Sequence, residues 1–187
     1  MKKNVQIIRS NRRTLALEIS ATGEIRVRAP YLVAERDIQK FVETKSNWIE
    51  KHLEKIERDK DVLESEGEFS EEEIKKLVKL AKQVIPEKVS YYARIMNVTY
   101  GRIAIRKQRS RWGSCSREGN LNFNCLLMMA PPEVLDYVVV HELSHRLEMN
   151  HSTRFWSQVE KVIPNYKAPR KWLQEHGNEL MLRMHGE

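Results

Sequence analysis

Two histidines and a glutamate stand within five residues, in His141-Glu142-Leu143-Ser144-His145. On a helix, residues four apart differ by roughly 40° around the axis and about 6 Å along it, so both imidazoles reach one ion. A carboxylate beside them is placed to take a proton from a metal-bound water, the arrangement a hydrolytic zinc site needs. The residues before the motif are Val134-Leu135-Asp136-Tyr137-Val138-Val139-Val140. A helix apolar nearly all round is buried on most sides. Polar side chains on such a helix are costly to desolvate without partners, and a metal ion is one such partner.

A catalytic zinc takes a third protein ligand and keeps one position open. His151, Glu148, Glu160 and Cys115 are the available donors. Residues 141, 145 and 148 share a helical face, which favours Glu148 if the helix runs on. In an unbroken helix His151 would lie about 240° round from His145 and point away. Its use therefore requires a turn, and Asn150 is a residue type that accepts a left-handed helix-ending conformation. Ser152 would then cap a new helix carrying Phe155, Trp156 and Val159. The i, i+4, i+10 histidine spacing equals that of the metzincin pattern, but Glu148 stands where that pattern has glycine and no Met-turn is evident downstream.

The positioning elements read as follows. Leu15, Leu17 and Ile19, then Ile25 and Val27, alternate with polar residues around Ala21-Thr22-Gly23-Glu24 and predict two antiparallel strands. From Ala34 the spacing of Ile38, Phe41, Val42, Trp48, Ile49, Leu53 and Ile56 predicts one long amphipathic helix. The acidic stretch 61–68 reads as a linker. Ser70 and Glu73 form a capping box, with Phe69 and Ile74 as its hydrophobic staple, and Pro86 kinks or restarts the helix they open. Tyr100 to Lys107 and Leu121 to Leu127 read as strands joined by the polar connection 109–116, and Ala130-Pro131-Pro132 starts the buried helix. The chain thus divides into a strand-and-helix part, 1–66, and a core, 67–187, or forms one continuous domain.

The run Arg111-Trp112-Gly113-Ser114-Cys115-Ser116, the helix start Ala130 to Tyr137, the His141–His145 core and Asn150-His151-Ser152 through Phe155-Trp156 together resemble the YgjP-like metallopeptidase family. The similarity extends from about Tyr91 to Gly177, and the N-terminal layout agrees. The resemblance implies an α+β fold with a zincin-like core, antiparallel strands packed on the buried HExxH helix. It also implies zinc held by His141, His145 and His151, with Glu142 catalytic.

The expected function is zinc-dependent hydrolysis of peptide or protein substrates, with Leu121 to Leu127 as an edge strand pairing with the substrate backbone. Arg111, Tyr166 and Arg170 are candidates to stabilise the oxyanion. Trp112, Trp156 and Cys115 read as packing residues.

A net charge of +7 and a pI near 9.4 favour acidic partners. Arg102, Arg106, Lys107, Arg109, Arg111 and Arg117 carry no acid among them, which supports two other readings. One is a zinc hydrolase of nucleotides or other phosphoesters; the other is a non-catalytic nucleic-acid-associated zinc protein. The N-terminal apolar run is too short for a signal peptide, no stretch is long enough to span a membrane, and two cysteines fit reduced thiols, so a cytoplasmic protein is expected.

Overall fold

The computed structural model describes residues 5–108 and 110–184; the MKKN start and Arg109 of the basic run lie outside them. The chain divides into two compact units, residues 1–65 and 66–187. Both mix small sheets with helices, the α+β class expected.

In the first unit β1 (Val5–Ser10), β2 (Ala16–Ile19) and β3 (Ile25–Pro30) form a sheet in the order β1-β3-β2. The β2–β3 pair is antiparallel around the anticipated turn, where Gly23 has φ 84°. β1 pairs parallel with β3. Val27, Ala29 and Ile38 are the buried centre, covered by Ile7, Leu17 and Phe41. The expected single helix is two, α1 (Glu35–Thr44) and α2 (Ser46–Glu66), broken at Lys45. Apolar spacing is silent on such a break, since both helices keep a 3.6-residue period. α2 also absorbs most of the acidic stretch read as a linker; Asp and Glu are acceptable helix residues wherever they face water.

The second unit opens with α3 (Glu71–Met96). The Ser70 hydroxyl accepts from the Glu73 amide at 3.3 Å, and the Ser70 amide donates to the Glu73 carboxylate at 2.8 Å. Phe69 and Ile74 are both buried beside this cap. The helix runs through Pro86 without interruption and ends at Asn97, whose φ of 52° is left-handed. β4 (Ile103–Arg106), β5 (Gly113–Cys115) and β6 (Leu121–Asn124) form the second sheet in the order β4-β6-β5.

Two expectations change here. The connection 109–116 contains a strand, β5, too short and too polar to show alternation. The strand at Leu121 stops at Asn124, where a 3-10 turn, Cys125–Met129, takes over. The Asn124 side chain directs both changes. Its amide donates to the carbonyls of Gln108 (2.6 Å) and Arg111 (3.0 Å), pinning the connection, while its oxygen accepts from the Leu126 amide (3.1 Å) and caps the turn.

The buried helix is α4 (Pro132–Ser144), with Pro132 in its first turn where no amide is needed. It packs against α3, β5, α5 (Thr153–Val162) and α6 (Lys167–Leu182), the surroundings its all-round apolar sequence requires.

Candidate metal centre

His141 lies in the last turn of α4 and His145 caps its C-terminus. The helix stops there, not near Asn150 as the sequence suggested. The amides of Arg146 and Leu147 donate to the carbonyls of Leu143 (2.9 Å) and Ser144 (3.0 Å), a tightening to three-residue spacing that closes the helix with ordinary right-handed backbone. Asn150 is not left-handed; among the described residues Asn97 is the non-glycine residue with positive φ. The Arg146 side chain holds the turn down by donating to the carbonyls of Thr99 (3.0 Å) and Arg117 (2.8 Å). Ser152 then caps α5, accepting from the Phe155 amide at 3.4 Å.

This reversal brings His151 back over α4. One ligand atom from each of His141, His145 and His151 lies within 4.8 Å of the others, and Nε2 of His141 and of His151 are 3.0 Å apart. Two imidazole nitrogens on a tetrahedral zinc at about 2.0–2.1 Å lie about 3.4 Å apart, a few tenths of an ångström more. The donor set therefore fits the ion. Glu148 does not join it: past the end of the helix its backbone carbonyl, not its carboxylate, faces Nδ1 of His145 at 3.3 Å. That contact suits an Nδ1–H donor and leaves Nε2 of His145 free for a metal.

Phe155, fully buried, underlies all three rings, with centroids 4.9, 4.7 and 4.7 Å from those of His141, His145 and His151. Burial in this apolar pocket, together with the neighbouring histidines, pushes His141 down to about 3 and keeps it in the neutral form that a metal ligand requires. Its Nδ1 is buried with no partner among the described residues.

Glu142 is 5% exposed and burial pushes its carboxyl up to about 8. Its Oε2 is buried with no hydrogen-bond partner among the described residues. A buried carboxylate oxygen without a donor is costly, so the residues present fit a further group bound here. A residue the sequence reading placed only in a motif controls this carboxyl. A Cβ on Gly113 would lie 2.6 Å from Glu142 Oε1 and 2.8 Å from its Cγ, so β5 approaches α4 this closely because Gly113 has no side chain. A glycine inside a tryptophan- and serine-flanked connection was the only signal available.

β6 is the central strand, which corrects its reading as an edge; β5, against α4, is an edge. The Trp112 carbonyl accepts from Asn124 and the Ser116 amide donates to Asn120, both at 2.9 Å. Residues 112, 114 and 116 thus turn their peptide groups toward β6, and alternation turns those of Gly113 and Cys115 to the open side.

The other expected residues stand outside the three-histidine cluster. Cys115 donates to the Ser116 carbonyl at 3.3 Å, its thiol pushed up by burial, and it is not among the converging donors. Trp112 packs against Gly177. Arg111 is exposed. Tyr166 is buried and stacks on Trp156 at 5.3 Å, and Arg170 lies over the same indole at 4.6 Å.

The family model of the YgjP-like metallopeptidase domain matches residues 13–79 and 64–176, most of the chain. The chain belongs to the YgjP-like metallopeptidase family. Membership makes it a hydrolase of the metallopeptidase type and accounts for a three-histidine cluster able to hold a metal. No curated protein matches this YgjP-like chain. Two solved structures are similar in part: the metallopeptidase zymogens abylysin of Pyrococcus abyssi and jannalysin of Methanocaldococcus jannaschii. Each is 21% identical and covers 49% of this chain, with 94% and 95% of their own chains matched and TM-scores of 0.45 and 0.43. No helix among the described residues is long and apolar enough to cross a membrane.

Proposed function

We propose that this YgjP-like protein is a zinc metallopeptidase with a zincin-like core, in which His141, His145 and His151 hold the ion and Glu142 is the general base. One observation carries the reading: three imidazoles converge at the end of the helix that carries Glu142, whose Oε2 is buried without a partner among the described residues. An all-imidazole donor set with an open position suits zinc best among the common divalent ions. A zinc ion held there would lower the pKa of a water molecule toward neutrality and polarise the peptide carbonyl.

Glu142 supplies the proton traffic. Its unpartnered Oε2 accepts a proton from the attacking water and returns it to the leaving amine. A neighbouring cation favours the ionised carboxylate and so opposes the upward push of burial. The substrate backbone adds to the open side of β5, where the peptide groups of Gly113 and Cys115 are directed away from β6. This strand is the one against Glu142, so a peptide paired with it runs past the base.

The phosphoester and nucleic-acid readings rest on the charge of 102–117. There Arg102, Arg106, Lys107, Arg111 and Arg117 are exposed, and Arg106 donates to Asn122 at 3.1 Å. No described contact joins them to the three histidines, so we do not carry those readings further.

Metal analysis of the purified protein, paired with a peptide-hydrolysis screen, tests the proposal. Glu142→Gln is expected to retain about one zinc per chain while kcat falls by 100-fold or more. Full turnover in that variant would remove the general-base role. Absence of bound metal in wild type would remove the site.

A further inference from the structure

Trp156 links the histidine cluster to a cation, Arg170, that the proposed chemical step does not use. Its ring lies 5.7 Å from that of His141 and 5.8 Å from that of His151, and it stacks nearly parallel on Tyr166 with an interplanar angle of 16°. The Arg170 guanidinium lies over this indole, 4.6 Å from the ring centroid. No salt bridge among the described residues involves Arg170, whereas Lys171 beside it reaches Glu175 at 3.4 Å. Arg170 is exposed on the first turn of α6. An exposed arginine usually has freedom to wander; here cation–π attraction to a ring that is itself stacked holds it in one place. A guanidinium over an aromatic face still has N–H groups to offer, in the fork that grips a carboxylate with two parallel hydrogen bonds. The two ring distances place the guanidinium no farther than about 10 Å from the His141 imidazole. An extended peptide covers that in about three residues.

We propose that Arg170, held on Trp156, is a specificity determinant that binds a substrate carboxylate within about three residues of the bond to be cut. The proposal rests on the metallopeptidase reading for the position of that bond. The carboxylate is either the free C-terminus of the peptide or an Asp or Glu side chain. The chain's excess of positive charge, +7, works in the same direction by drawing acidic peptides to it. Arg170 binds substrate in this account and takes no part in the chemical step.

The test uses binding and turnover in parallel. Fluorescein-labelled hexapeptides differ only in a free or amidated C-terminus and in Glu or Gln at interior positions. Their affinities are measured by anisotropy on the zinc-loaded Glu142→Gln protein, and their kcat and KM on wild type. Acidic peptides are expected to bind about tenfold or more tightly than their neutral counterparts. Arg170→Gln, added to either background, should bring that ratio to about one with zinc content unchanged, and Arg170→Lys should restore part of it. Preference for the free over the amidated end identifies the terminus; preference for Glu over Gln identifies the side chain. Equal affinity for acidic and neutral peptides, or no binding of acidic ones, overturns the proposal. A fall in kcat in Arg170→Gln that is the same for both peptide classes also overturns it and makes Arg170 an oxyanion donor. If wild type cleaves nothing yet the Arg170-dependent preference persists, the peptidase reading fails and the carboxylate site stands.

Discussion

Gly113 lacks a side chain where Glu142 occupies the space one would need. Its hypothetical Cβ meets three atoms of that side chain within 2.9 Å. The neighbour cannot yield cheaply, since Glu142 is held on a helix buried on most sides. Gly113→Ala should therefore displace the carboxylate by about an ångström, enough to cost about 100-fold in kcat. The histidines project from α4 and from the segment before α5, so zinc content should be retained. Steady-state kinetics with metal analysis on the same preparation checks this, and the ratio of kcat loss to zinc loss separates a displaced base from a damaged fold.

At the scale of elements, the cluster is a product of two helices and the reversal between them. α4 supplies His141 and His145, the turn closed by Arg146 reverses the chain, and α5 supplies the floor. Phe155 contacts every ring of the cluster from inside the core. Truncating it to alanine should cost about 3–5 kcal/mol of stability from lost burial and the cavity left behind. Phe155→Leu refills much of that volume but not the flat surface against the imidazoles. The expected outcome is a weakened zinc affinity in Phe155→Leu at near-normal stability, and loss of both in Phe155→Ala, read by competition with a chromophoric chelator and by thermal unfolding.

For the whole molecule, each unit carries three strands in one arrangement: first and third parallel, second antiparallel to the third, with a helix after the third. Only the second unit holds the three clustered histidines, so a chelator should act on one transition of the two. At zinc 100-fold above its Kd, removal costs that unit about 2.7 kcal/mol, on the order of 10 °C. Metal-free protein should also show the charge of Glu142. Its folded pKa, about 8, lies above the unfolded value near 4.5, so the unfolded chain ionises first and stability is lost as pH rises from about 4.5 to 8. His141 is shifted the other way, to about 3 against 6.5, and its share of stability is lost as pH falls below 6.5. The difference in Tm between metal-free Glu142→Gln and wild type isolates the glutamate and should widen steadily toward pH 8. A pH-independent difference would show that the carboxyl is solvated.

The sequence alone determined what depends on neighbours along the chain. The four-residue spacing of His141 and His145, the all-apolar approach from Val134, the Ser70–Glu73 cap and the Gly23 turn are local, and one helical or strand period suffices to read each. The family resemblance supplied His151, which spacing alone set against Glu148. Tertiary structure decided what depends on contacts between distant segments. The helix ends at Ser144 because Arg146 bonds carbonyls 29 and 47 residues away. β5 exists because Asn124 and β6 hold a polar loop in register, and β6 is a central strand for the same reason. Gly113 against Glu142, Phe155 beneath three imidazoles and Arg170 on Trp156 each join residues with no periodic relation. No pattern of residue types along a chain encodes a distance across a core, so the candidate ligands were legible in the sequence and its family resemblance while the groups that position them were not.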